Sequence, residues 1–245
     1  MLLRAEKLVG ENRLNEALDE YKAVLAKDPR SAVAYYHLGW IYNDQKKYDT
    51  AARFLKKGVE IAPKDHQLWN ELGFTYFKLN NDQGALEAYR KATELEPKSA
   101  EAWTGLGDVL FMRKQDYAAA ALSYEKAIEN GSQAASAHYR LGWCYNDQKS
   151  YEKAIPPLQK ATELEPKAAS PWLEWGFALM RLGKNDQAVQ ALTRATVLDP
   201  QLKLGFLYLG RAYLQLGQKD KARTQVEALR PLDAEMARQL EGEIK

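Results

Sequence analysis

Cysteine is nearly absent from this chain, with Cys144 the only one in 245 residues. A single thiol can form no internal disulfide and no cysteine-based zinc site. Histidine is scarce too, and His37, His66 and His138 show no metal-ligand spacing. Neither sign of charge dominates. Lys plus Arg number 35 and Asp plus Glu 33, a formal net charge of +2, so the basic excess of a phosphate-neutralising protein is missing. No apolar run approaches the roughly 18 residues that a membrane-spanning helix needs. The opening Met1-Leu2-Leu3-Arg4-Ala5-Glu6-Lys7 alternates charges too early for a secretory signal. Phosphate-cradling and nucleophile-elbow strings are also missing. These gaps argue against an enzyme, a nucleic-acid binder and a membrane-inserted protein. The expected place is the cytoplasm, with the periplasm or a longer parent protein left open, and the expected cofactor and metal content is none.

What is present is self-similarity. Prolines stand at Pro29, Pro63, Pro97, Pro166 and Pro200, in steps of 34, 34, 69 and 34 residues. The long step is two periods plus one residue, and Ser132 stands where the missing proline would fall. Leu38-Gly39, Leu72-Gly73, Leu106-Gly107, Leu141-Gly142, Trp175-Gly176 and Leu209-Gly210 keep the same step. So do Ala17, Ala51, Ala85, Ala120, Ala154, Ala188 and Ala222. A fixed period of this length marks stacked supersecondary units.

Each period reads as two helices. In residues 66–99, Trp69, Leu72, Gly73 and Tyr76 share one helical stripe. Asn80-Asn81-Asp82-Gln83 supplies turn chemistry, Ala85, Tyr89 and Ala92 line a second helix, and Pro97 ends it. Small residues let the two helices approach, while the large ones fill the space around that contact. One pair cannot bury both stripes, so neighbours must stack. These residues resemble the tetratricopeptide repeat, W-x2-L-G-x2-Y…A-x3-F…P. The pattern recurs as Trp103, Leu106, Gly107, Leu110, Ala120 and Tyr124, and as Trp172, Trp175, Gly176, Leu179, Ala188, Leu192 and Pro200. The resemblance implies an all-α fold, a right-handed α-solenoid of stacked antiparallel helix pairs. Its expected repeats are a partial one in 1–31, then 32–65, 66–99, 100–134, 135–168, 169–202 and 203–232, with a capping helix in 233–245.

Departures from the pattern carry expectations of their own. The fourth repeat holds an extra residue near Met112–Lys114 and ends in Asn130-Gly131-Ser132. Pro156-Pro157 fall inside a second helix, where proline removes a backbone bond and crowds the preceding turn, so a local irregularity is expected there. The Asn-Asp-Gln triplets at 43–45, 81–83, 146–148 and 185–187 lack the ligand spacing of a calcium loop and read as turn chemistry. Cys144 and His138 read as packing residues.

Function should lie on the first-helix face turned away from the core. Counting within each repeat at 100° per residue, positions 4, 7, 8 and 11 share one direction and positions 2, 5, 9, 12 and 13 the other. The resemblance implies that this second face lines a concave, peptide-holding groove. Its candidate residues are Tyr36, Trp40, Asn43, Asn70, Phe74, Phe77, Thr104 and Phe111, then Tyr139, Trp143, Asn146, Leu173, Phe177, Met180, Arg181, Leu207 and Arg211. The ninth position alone reads Trp40, Phe74, Asp108, Trp143, Phe177 and Arg211, richer in aromatics than a merely solvated face needs. The carboxylate clamp of the cochaperone branch is not made by Tyr36, Trp40, Glu71, Glu101 and Gly105, nor by the window of Asn70, Phe74, Gly105, Ser136 and Arg140. The asparagine ladder of the O-linked sugar transferases is replaced by His37, Glu71, Gly105, Arg140, Glu174 and Tyr208. The expected partner is a protein or peptide segment. The alternatives are a homo-oligomer, in which the groove takes a terminal helix of another copy, and, third, a single-stranded RNA.

Overall fold

A computed structural model describes residues 1–244 as fifteen α-helices and one π-helical turn, with no strand among the described residues. The chain forms two compact units, Met1–Ser132 and Gln133–Lys245.

In the first unit α1 (Leu2–Gly10) pairs with α2 (Leu14–Lys27), α3 (Ala32–Asp44) with α4 (Tyr48–Ile61), and α5 (His66–Lys78) with α6 (Asp82–Leu95). The last pair is α7 (Ala100–Val109), continued by the π-helical turn Leu110–Lys114, and α8 (Tyr117–Glu129). Helix starts follow the cap residues. Asp65 accepts from the amides of Gln67 and Leu68, Asn81 from Gly84, Ser99 from Ala102, and Asp116 from Ala119. Within a hairpin the first helix ends on one left-handed residue, such as Lys46 (φ 58°) or Asn80 (φ 57°). That residue lets the next amide reach back five positions, Lys47 to the Tyr42 carbonyl at 2.8 Å and Asn81 to the Tyr76 carbonyl at 2.9 Å.

The second unit repeats this scheme. Its pairs are α9 (Ala135–Asp147) with α10 (Tyr151–Leu164), α11 (Ala169–Arg181) with α12 (Asn185–Leu198), and α13 (Lys203–Gln215) with α14 (Lys219–Leu229). A last helix, α15 (Ala234–Glu243), packs on α13 and α14. Asp233 caps it by accepting from Glu235 and Met236, and Ala237, Leu240 and Ile244 are buried. The hairpin turns again close on left-handed residues, Lys149 (φ 59°), Gly183 (φ 72°) and Gly217 (φ 72°).

The alanine and glycine positions meet the core. Ala17, Ala51, Ala85, Ala120, Ala154, Ala188 and Ala222 are all fully buried. Gly39 and Gly142 lie so close to Leu55 and Leu158 that a methyl group on either would overlap the leucine. The signature tryptophans are less buried than the alanines and leucines beside them. Trp69 and Trp103 are half-buried, and each indole N–H donates to the carbonyl of the preceding proline, Pro63 or Pro97, at 2.9 Å. They therefore tie one repeat to the turn before it.

Two irregularities have different outcomes. The extra residue of the fourth repeat is taken up by the π-helical turn, whose wider ring accommodates an insertion without ending the helix. The Asp116 amide then spans six residues to the Leu110 carbonyl, at 3.0 Å, where other hairpins span five. The two prolines, by contrast, do not interrupt α10, which runs from Tyr151 to Leu164. Pro156 is exposed, and so are Glu152 and Lys153, whose carbonyls lose their amide donors to the rings and can turn to water instead.

Candidate functional site

The site begins with a side-chain amide. Asn43 is buried near the end of α3, and its Nδ2 donates to Glu71 Oε2 on α5 at 3.0 Å. Its Oδ1 lies 3.0 Å from the Thr75 hydroxyl, which also sits 2.7 Å from the Glu71 carbonyl and shares its one proton between them. Asn146 stands in the same relation to α11, donating to Glu174 Oε2 at 2.8 Å and to the Glu174 carbonyl at 3.0 Å. The residue matching Thr75 there is Ala178, and Asn146 Oδ1 has no protein donor. In the two Asn-Asp-Gln triplets that open on Asn43 and Asn146, the asparagine side chains are therefore cross-helix struts, while Gln45 and Gln148 end their helices at the turn. Only Asn81, of the other two, caps a helix through its side chain.

Burial pushes the carboxyls of Glu71 and Glu174 above the usual carboxylate range. In each case the asparagine amide pulls the other way, and Glu101 adds to the upward push on Glu71. Burial also pushes the Tyr36 phenol up to about 12, with the nearby charges of Glu71, Glu101 and Asp65 adding to it. Cys144 is buried and its thiol is pushed up to about 12, far from the thiolate a nucleophile needs. His37 stacks on Tyr21 with ring centroids 4.7 Å apart, and burial lowers its basicity. Among the described residues, no group of three His, Cys, Asp or Glu side chains could hold a metal ion.

The structure divides the seventeen groove residues expected from the sequence. Asn43, Asn146, Leu173, Met180 and Leu207 are buried and present little surface. The buried asparagines at the twelfth position turn toward the adjacent first helix in the stack, Asn43 to Glu71 of α5 and Asn146 to Glu174 of α11. Arg211 is occupied as well, its Nε and Nη2 held by the Glu243 carboxylate of α15 at 3.0 and 2.7 Å. Phe77 lies beneath the Arg113 guanidinium, 4.9 Å from its ring centroid, and Phe111 packs on Tyr117 at 5.4 Å. Thr104 turns its hydroxyl back to the Ala100 carbonyl. Asn70 is half-buried with Oδ1 lacking a protein donor.

Tyr36, Trp40, Phe74, Tyr139, Trp143 and Phe177 are half-buried and retain surface, and Arg181 is exposed. In the first unit, Trp40, Asn43, Asp44, Glu71 and Phe74 surround a recess of about 250 Å³. Phe74 meets Tyr48 edge-on at 6.5 Å, with the Lys78 ammonium 5.2 Å from its ring centroid. In the second unit Phe177 meets Tyr151 edge-on at 5.9 Å, and the Arg181 guanidinium lies 5.0 Å from Tyr151 and 5.8 Å from Phe177. Phe177 also packs on Tyr208 of α13, at 4.9 Å. Glu71 and Glu174 were missed as site residues. Their signal was their recurrence at the sixth position, each one turn before an aromatic ninth.

Recurring helix pairs, stacked with small residues at their crossings and a first-helix face bearing matched aromatics, define a helical-hairpin solenoid. The chain belongs to the tetratricopeptide repeat family. One tetratricopeptide repeat profile matches residues 71–135, 110–169 and 173–237, and a second matches residues 8–73. Among solved structures it is similar to YrrB, described as a TPR protein with an unusual peptide-binding site. The two share 25% identity over 77% of this chain and 97% of that one, with a TM-score of 0.72. It is similar to MamA at 27% identity over 69% of this chain and 92% of the other, TM-score 0.60. The C-terminal part of a TPR repeat-containing protein from Cytophaga hutchinsonii shares the fold at 21% identity, covering 96% of each chain, TM-score 0.69. No curated protein matches the chain. A fold of this family supports a protein–protein interaction scaffold. Among the described residues no helix is long and apolar enough to cross a membrane.

Proposed function

We propose that the chain is a non-enzymatic scaffold that holds a peptide or protein segment against its first-helix face. Tyr36, Trp40 and Phe74 in the first unit, and Tyr139, Trp143, Phe177 and Arg181 in the second, supply the contacts, with Asn70, Phe77, Thr104 and Phe111 beside them. One observation carries the reading: aromatic side chains at the ninth position, Trp40, Phe74, Trp143 and Phe177, stay half exposed in both units. The peptide site of the similar YrrB supports it. A random-sequence peptide array probed with the intact chain tests the reading. Bound peptides should be lost by Trp40→Ala together with Trp143→Ala, while circular dichroism stays unchanged. An array with no bound peptide ends it.

A second reading, self-assembly, is favoured by α15 alone. That helix lies against α13 and holds Arg211 through Glu243, so a first-helix face of this chain does receive a terminal helix. Light scattering over a concentration series decides, since a monomer throughout removes this alternative. RNA stays the third class, and the near-neutral charge weighs against it.

A further inference from the structure

We propose that the recess between α3 and α5 seats one arginine or lysine side chain of the bound segment. The inference rests on the peptide-scaffold reading above and names what that peptide must carry. Its volume, about 250 Å³, falls below the roughly 300–1,000 Å³ of small-molecule sites, so it suits a side chain rather than a whole ligand. Trp40 and Phe74 offer two aromatic surfaces, and a ring face attracts a cation. Phe74 already has the Lys78 ammonium 5.2 Å from its centroid. The charged residues that line the recess, Asp44 and Glu71, are both acids, and the Lys78 ammonium stands outside the lining, over the Phe74 ring. Asn43 donates to Glu71 Oε2 and accepts from the Thr75 hydroxyl, which fixes the Glu71 carboxyl at the recess. Glu101, on the next first helix, adds negative potential, since its charge acts on Glu71. A cation placed between Glu71 and Asp44 would meet two carboxylates and two rings together.

The second unit supplies an internal comparison. Trp143, Asp147, Glu174 and Phe177 keep the same positions, but Arg140 stands where α3 has His37, and Leu204 where α7 has Glu101. One cation gained and one acid lost should weaken the preference there.

Nuclear magnetic resonance of the intact chain reads the outcome at the tryptophan indole N–H signals. The probes are acetyl-Ala-Ala-Arg-Ala-Ala-amide and the same peptide with citrulline, which keeps the shape and removes the charge. The arginine peptide should move the Trp40 signal, identified by its loss in Trp40→Phe, and move it further than the Trp143 signal. The citrulline peptide should leave it in place, and Glu71→Gln should weaken arginine-peptide binding about tenfold, the scale of one charge-assisted contact. Equal shifts with both peptides, no shift with either at millimolar concentration, or undiminished binding by Glu71→Gln would overturn the proposal. The peptide array separates its failure from that of the scaffold reading. Bound peptides without enrichment in Arg or Lys end the cationic pocket alone, whereas an array with no bound peptide ends both.

Discussion

Two tryptophans of one chain do different work because of where a single helical turn places them. Trp69 fixes its repeat to the preceding turn through the Pro63 carbonyl, whereas Trp40 half covers a recess. Truncating Trp69 to Ala should cost about 3 kcal/mol or more, in the range of large aromatic deletions. Trp40→Ala should cost clearly less, and denaturant midpoints of the two variants compare them directly. The Asn43 strut makes a second test. Thr75→Val keeps the shape of the buried side chain and removes the proton shared by Asn43 Oδ1 and the Glu71 carbonyl, at an expected cost of about 1–3 kcal/mol. Ala178→Ser should act in the opposite sense, by giving Asn146 Oδ1 the donor it lacks. Glu71 links this network to pH. Its carboxyl is raised in the folded state, so between the unfolded and folded values the native chain holds more protons and stability falls as pH rises. Glu71→Gln should therefore melt higher than the parent at neutral pH, and the gap should close as pH drops below the ordinary glutamate range. A gap that stays constant across that range would mean that the charge of Glu71 is not what burial disfavours.

At the scale of the element, proline and the inserted residue show how far a helix tolerates offence. Pro156 removes an amide from α10, yet the helix continues because the stranded carbonyls belong to exposed residues. Continuity is not the same as comfort. Pro156→Ala should raise stability by up to about 3 kcal/mol, the helix-interior penalty of proline, less the entropy that proline removes from the unfolded chain. A higher urea midpoint with an unchanged slope is the expected signature. The helices themselves were legible in the sequence, since leucine-glycine pairs and buried alanines recur in phase. The insertion was legible as well, because it displaced every later landmark by one residue. The groove was legible only in part. Position counting treats a helix as a cylinder facing either core or water, but in a stack a first helix also faces two sister helices. Leu173 and Met180 share a buried cluster with Leu209 and Ala212 of α13, and Leu207 one with Leu240 and Ile244 at the end of the chain, and no periodicity within one repeat carries that information. Asn43 and Asn146 misled for a related reason: polar residues next to a turn look like caps until the facing glutamate is seen.

For the whole molecule, energetics follow from the nearest-neighbour arrangement of repeats, in which each hairpin is stabilised chiefly by the next. The terminal pair α13–α14 has α15 as its outer neighbour, with Leu240 fully buried at Gly210. Ending the chain after Leu232 should therefore release α13 and α14 first. Hydrogen exchange would show protection lost across 203–229 while amides of α3 to α6 keep theirs. Uniform loss of protection over both compact units would contradict this picture of graded stability.

The chain also carries two kinds of punctuation. A left-handed residue followed by a five-residue backward reach folds a repeat upon itself, as at Lys46 or Asn80. An Asp-Pro or Glu-Pro step opens the next repeat, as at Asp28-Pro29 or Glu96-Pro97. At the end of α8 the first mark is written where the second belongs. Gly131 takes φ 90° and the Ser132 amide reaches back to the Ala127 carbonyl at 2.9 Å. The compact units part at that sentence break, between Ser132 and Gln133. A gene divided there would be cut between clauses rather than through a word, so a division after residue 132 would leave every helical hairpin on either side whole.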